Sequence, residues 1–187
     1  MSNRQPIMTI AFIAASLLLS LPFLALNQNW PFQFFAISAY QNSLSAFDQP
    51  WRFVTPIFLH FSALHLIFNM YWLWEFGRQI ERIQGRYVLL GLVVVTGVIS
   101  NLVQYYMTGP FFGGFSGVLY GLLAWLWLWQ KREPWSGYLI PSGLMTMMLV
   151  FLVLGWTGLL GSIANFAHLG GLVVGAILAA AVLAFRK

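Results

Sequence analysis

The run "FFGGFSGVLYGLLAWLWLWQ", residues 111–130, sets one hydroxyl, Ser116, after a glycine pair and follows it with an apolar stretch that ends at Lys131 and Arg132. From Ser116 to Lys131 the rise is roughly 22 Å of helix, against a bilayer hydrocarbon core of about 30 Å. A helix anchored by its two terminal cations at one interface therefore begins on the order of 8 Å below the opposite surface. Irregular backbone at that depth is tolerated only where it is buried in protein or lines a water-filled cavity. Two readings fit Ser116 on this segment alone: a helix N-cap whose glycines permit the turn, or a nucleophile placed inside the membrane.

The whole composition agrees with a membrane setting. The 187 residues are 60% hydrophobic and 7% charged, with a mean hydropathy of +0.78, which leaves no polar shell for a soluble domain. The chain contains no Cys, which excludes thiol nucleophiles, thiolate zinc sites and disulfides. Its net charge of +5 is the excess a multispanning chain carries on cytoplasmic loops, and no nucleic-acid module is present. The predicted fold class is all-α, a polytopic membrane protein, with six spans at roughly 7–26, 57–76, 88–107, 115–130, 138–156 and 163–185. Arg4 before an apolar run resembles a signal peptide, but Ile7 to Leu26 is longer than an ordinary h-region and lacks an A-x-A site, so it is read as a span.

Six spans put both termini on one side, together with Arg4, Arg78, Arg82, Arg86, Lys131, Arg132, Arg186 and Lys187, eight of the nine basic residues. That side is expected to be cytoplasmic. The ninth, Arg52, falls in a long outer loop, 27–56, whose aromatics Trp30, Phe32, Phe34, Phe35, Tyr40, Phe47 and Trp51 suit a segment lying in the membrane interface. Repeats, low-complexity tracts and soluble domains are absent from the sequence, so residues 1–187 read as one membrane domain.

Two small-xxx-small faces bear on Ser116. Gly117 and Gly121 form one on span four, and Gly171 and Gly175 form another on span six, which runs in the same direction. Such faces let helix backbones approach closely. Ser116 lies just outside the first pair and His168 one turn outside the second, so parallel packing brings hydroxyl and imidazole together as a nucleophile and its general base. In "LHFSALHLIFN" His65 and Asn69 share a helical face near the outer end of span two. They suit either an oxyanion site, alongside the Ser116 backbone N–H, or a polar clamp between helices. His60 is rotated off that face and reads as structural. Tyr120, one turn below Ser116, either supports the imidazole by stacking or is core.

Other hydrolytic chemistries are excluded by inventory. No H-E-x-x-H run exists for zinc, and the single Asp, Asp48, cannot make a diaspartyl site. Glu75, Glu81 and Glu133 fall at the cytoplasmic ends of spans, so a Ser-His dyad without a carboxylate remains, and no cofactor or metal is called for.

The runs "WRFVTPIFLHFSALHLIFNMYWLW", "GPFFGGFSGVLYGLL" and "NFAHLGGLVVG", matching in order and spacing, resemble the rhomboid family of intramembrane serine proteases, in particular its bacterial GlpG-like branch. The resemblance covers about residues 50 to 185. It implies a six-helix rhomboid bundle with an interfacial loop between the first two spans, Ser116 as nucleophile, His168 as general base, and His65 and Asn69 at the oxyanion. It further implies a glycine role for Gly114, a loop-bracing role for Arg52 beside Trp51, and Tyr120 as the ring beneath the histidine. Residues 1–6 leave no room for the cytoplasmic domain that many bacterial relatives carry, so a catalytic core alone is expected.

The implied activity is cleavage of single-span membrane proteins near the outer face, in a bacterial-type inner membrane, through an acyl-enzyme. Met-rich span five, "GLMTMMLVFLVLGW", suits a lateral gate or simply adaptable packing. Two competing classes are a catalytically silent rhomboid-like protein that binds membrane clients, which typically lacks the Ser or the His, and a proton-coupled transporter, which is expected to show repeats or a deeper acid.

Overall fold

The structure is a computed structural model that describes residues 5–37, 48–159 and 161–185. Arg4, Tyr40, Phe47, Arg186 and Lys187, used above for orientation and for the outer loop, lie outside the described residues. Among the described residues there are seven α-helices and no strand: α1 Ile7–Leu26, α2 Trp30–Phe35, α3 Ala63–Ile83, α4 Arg86–Thr108, α5 Ser116–Arg132, α6 Leu144–Gly155 and α7 Asn165–Phe185. All but α2 correspond to the six expected spans. The helices α1, α4 and α7 are long and apolar enough to cross a membrane by length and composition.

Two boundaries differ from the sequence expectation. The second span was placed at 57–76, but Thr55–Phe58 forms a 3-10 turn, Leu59 is extended, and α3 starts only at Ala63. Ser62 sets that start, its hydroxyl accepting the His65 N–H at 3.2 Å from an extended N-cap position. At its other end α3 runs on through its charged turn, with Arg78 on Glu75 at 2.7 Å, until Gly85 turns the chain at a φ of 99°. The fifth span was placed at 138–156, yet α6 has only 12 residues, beginning after Pro141 and the left-handed Gly143. Proline restricts the residue before it to extended backbone, which delays the helix.

Helix α5 is the centre of the bundle, with buried residues on every side, and its largest contact is with α7. The expected glycine faces meet there. A Cβ on Gly171 would overlap the Gly117 carbonyl oxygen, and one on Gly175 would overlap that of Gly121. The register, 117 to 171 and 121 to 175, is that of parallel helices. Behind the same glycines stands α4, whose Ser100 Oγ and Thr96 Cγ2 would lie 2.9 and 2.7 Å from a Cβ on Gly117 and Gly121.

The outer loop is braced by buried Arg52, whose guanidinium donates to Ala36 O at 2.7 Å, to Gln33 O at 2.8 Å and to Gln49 Oε1. Burial lowers the pKa of this guanidinium from its usual value. At the opposite end of the molecule, Glu81 of α3 caps α1. Its carboxylate accepts the Met8 N–H, the Thr9 N–H and the Thr9 hydroxyl, each at 2.8 Å. Pro6, at the N-cap position, offers no side-chain cap of its own, so the orphan amides of α1 are satisfied from a neighbouring helix.

Two outcomes follow from this packing. Glu81→Ala leaves the first turn of α1 uncapped and is expected to cost on the order of 3 kcal/mol in denaturant unfolding from mixed micelles; an unchanged unfolding curve would contradict the capping role. Gly171→Ala is expected to cost about 2 kcal/mol or more because the helices must separate. Its neighbour Gly170, where a Cβ meets its nearest atom at 3.4 Å, is expected to tolerate Ala within about 0.5 kcal/mol. Equal loss at both positions would count against the close α5–α7 contact.

Candidate functional site

The loop that delivers Ser116 is held by the segment just before α3. Gly114 N–H donates to Pro56 O at 3.0 Å, and Phe115 N–H donates to His60 Nε2 at 3.4 Å. Gly114 sits at a φ of 116°, in the region that favours glycine, and a Cβ there would lie 2.5 Å from His65 Cε1 and 2.8 Å from its Nε2. Glycine at 114 therefore answers two constraints together, a left-handed turn and an imidazole pressed against it.

Ser116 is the first residue of α5 and half-buried. His168 lies in the first turn of α7, also half-buried. The close packing of the two helices brings the Ser116 Oγ to 2.7 Å from His168 Nε2. Tyr120 lies under the imidazole, ring centroids 4.7 Å apart and planes inclined by 26°, and its hydroxyl donates to Met148 O of α6 at 2.9 Å. Tyr120 is at the same time part of the buried core.

His65 lies beside the loop two residues before Ser116, as its contact with Gly114 requires. Asn69, one turn further along α3, is fully buried; its Nδ2 donates to His65 O at 2.8 Å, and its Oδ1 has no hydrogen-bond partner among the described residues. An amide nitrogen carries two protons, so this bond leaves Asn69 one N–H. The Ser116 N–H, at the first helical position, has no intrahelical acceptor. Arg52 belongs to the outer loop, where its guanidinium is bonded to Ala36, Gln33 and Gln49. Along α3 from His65, Glu75 and Glu81 are roughly 15 and 24 Å of helix rise away. Among the described residues no group of three or more His, Asp or Glu is placed to hold a metal ion.

Several residues around the site were not singled out from sequence. Gln104 of α4 accepts the Ala167 N–H at 2.9 Å and so caps the first turn of α7 one residue before His168. Thr96, Ser100 and Gln104 recur every four residues and are all buried. That spacing was the available signal, a polar stripe on an otherwise apolar span. Asn165 donates to Gly155 O at 2.8 Å, joining the start of α7 to the end of α6.

Comparison with known proteins agrees with this arrangement. The family model described as Rhomboid domain matches residues 48–185. The chain is 39% identical over 171 residues to a Rhomboid protease GlpG homolog of Cronobacter sakazakii, covering 91% of this chain and 58% of that protein. It is 42% identical over 130 residues to Rhomboid protease GlpG of Salmonella choleraesuis and of Enterobacter sp., covering 69% of this chain and 47% of each. The chain thus spans about half the length of the curated relatives it matches. With its apolar helices, this match makes the chain a multi-pass integral membrane protein, and by the extent of the matched region it belongs to the rhomboid family.

Proposed function

We propose that this protein is an intramembrane serine endopeptidase that cleaves single-span membrane proteins near the outer face of a bacterial inner membrane. The observation that carries the reading is the 2.7 Å contact between Ser116 Oγ and His168 Nε2, made by two half-buried side chains where helices α5 and α7 touch. The names of the relatives, all rhomboid proteases, support the same chemistry.

Ser116 Oγ attacks the scissile carbonyl carbon while its proton passes to His168 Nε2. The oxyanion is held by the Ser116 N–H, the free N–H of Asn69 and a donor nitrogen of His65. Collapse of the tetrahedral species breaks the C–N bond, and His168 returns its proton to the leaving amine. Water entering from the outer side then attacks the acyl-enzyme, giving up a proton to His168, which passes it to Ser116 Oγ as the ester bond breaks. Tyr120 fixes the imidazole plane throughout. Because an intact helix hides its carbonyls in its own hydrogen bonds, substrates are spans weakened by Gly, Pro or polar residues near their outer end. Helix α6, which touches the bundle chiefly through α5 and α7, is the element we assign to substrate entry. Eight of nine basic residues on one side support cytoplasmic termini and a site opening outward.

The test is cleavage of a single-span model substrate in liposomes by wild type, Ser116→Ala and His168→Ala, each folded to the same extent. Product from wild type with a loss of about 10³-fold or more in both variants is expected. Equal product from all three sinks the assignment, and no product from well-folded wild type across several weakened spans returns the chain to a client-binding role. His168 accepts a proton only when neutral, so cleavage is expected to fall toward acid pH as the imidazole protonates. A rate that stays flat into strongly acidic solution contradicts His168 as base.

A further inference from the structure

We infer that His60 is a positioning residue for the reaction, acting through the backbone amide of Phe115 to set the loop that presents Ser116; the inference rests on the proteolytic reading above. His60 is fully buried, in the extended stretch between the Thr55–Phe58 turn and α3. Both ring nitrogens are engaged. Nε2 lies 3.4 Å from the Phe115 N, while Nδ1 lies 3.1 Å from Ser20 Oγ of α1 and 3.2 Å from Phe58 O. The Ser20 hydroxyl itself donates to Phe58 O at 3.0 Å.

These contacts select one protonation state. The Phe115 amide is a donor, so Nε2 must offer its lone pair, and the ring proton belongs on Nδ1, where Ser20 Oγ and Phe58 O both accept. An imidazolium, with a proton on each nitrogen, has nothing to give the Phe115 N–H. Phe115 is the N-cap residue of α5 and has no side-chain cap, so its N–H is one of the donors a helix start leaves unsatisfied. With Gly114 N–H on Pro56 O, the segment 56–60 takes the two amides immediately before Ser116. The next amide in the chain, that of Ser116, is the one the reaction uses.

The same ring also packs edge-on against His65, centroids 5.0 Å apart at 63°. One buried imidazole thereby orients two of the proposed oxyanion donors, the Ser116 N–H through the peptide that precedes it and His65 through ring contact. The adjoining Gly114 has wide conformational freedom of its own, so the peptide plane depends on these outside bonds. A shift of about 1 Å in such a group lowers turnover by about 100-fold.

The test combines a spectroscopic and a kinetic readout on the full chain in lipid bilayers. The chain has three histidines, and ring-nitrogen resonances of labelled histidine, assigned by comparison with His60→Phe, report which nitrogen carries the proton. A protonated Nδ1 with a bare, hydrogen-bonded Nε2 is expected for His60; a protonated Nε2 overturns the inference. In cleavage of the model substrate, His60→Phe keeps the ring but has no acceptor, whereas His60→Gln restores a carbonyl oxygen near the Nε2 position. The expected pattern is a fall in kcat of about 100-fold for the Phe variant with KM little changed, largely recovered by Gln. Wild-type kcat in the Phe variant, or equal losses in both variants that follow only their thermal stability, overturns the role. Failure of wild type to cleave anything removes the proteolytic reading separately, and the protonation pattern then decides alone whether His60 holds the Phe115 amide.

Discussion

The contact on which the rest depends is backbone against backbone, where the carbonyls of Gly117 and Gly121 lie in the space that side chains on Gly171 and Gly175 would fill. Lipid tails are as apolar as leucine, so hydrophobic burial does little to drive helices together in a bilayer and close packing must do it. Glycine pairs let two rigid rods touch with no flexible side chain between them. The separation of Ser116 from His168, each just beyond the glycine pair of its helix, then follows from main-chain geometry. A serine and a histidine on helices kept apart by leucines would sit several ångströms further from one another.

Bringing helix backbones that close in a membrane protein raises the problem of unsatisfied polar groups, and α4 answers much of it. Thr96 returns its hydroxyl to Leu92 O at 2.6 Å and Ser100 to Gly97 O at 3.1 Å, so both present compact, internally bonded faces to the glycines of α5. Asn101 donates to Phe53 O at 2.9 Å, tying the loop before α3 to the same helix. Gln104 spans further, from the Ala167 amide to Thr108 Oγ1 at 2.6 Å. The stripe thus serves as a polar wall on one side of a short central helix, where water is not on hand to do the same.

How much of this was legible in sequence depended on whether a signal was local. The glycine pairs, Ser116, His168 and the face shared by His65 and Asn69 are visible as spacings within single helices, and the meeting of Ser116 with His168 required only that α5 and α7 run parallel. The start of α3 was misplaced because Ile57, Phe58, Leu59 and Phe61 carry an apolar run up to Ser62, while the helix is set by the Ser62 cap, a signal of one hydroxyl. For α6, apolar residues on both sides of Pro141 hid the break that Gly143 makes. His60 was read as structural because its partners, Ser20, Phe58 and Phe115, come from three separate segments, and no periodicity records such a meeting.

Helix α1 shows why a span with no motif still matters to the site. Its buried positions are Thr9, Phe12, Ser16 and Ser20, while Leu17, Leu18 and Leu21 are exposed, an arrangement inverted relative to a soluble protein because lipid solvates the apolar face. The two outer members of that small polar face hold opposite ends of the molecule: Thr9 meets Glu81 through its amide and hydroxyl, and Ser20 meets His60. The three glutamates are thereby kept at one end, with Glu81 on α1, Glu75 on Arg78 and Glu133 at the far end of α5. At the other, Ser116, His168, Tyr120, His65 and Asn69 bring a hydroxyl, rings and an amide together. A carboxylate packed beside His168 would have to be desolvated among apolar helices, a cost of several kcal/mol. The Tyr120 ring, stacked on the imidazole, packs against it without burying a charge.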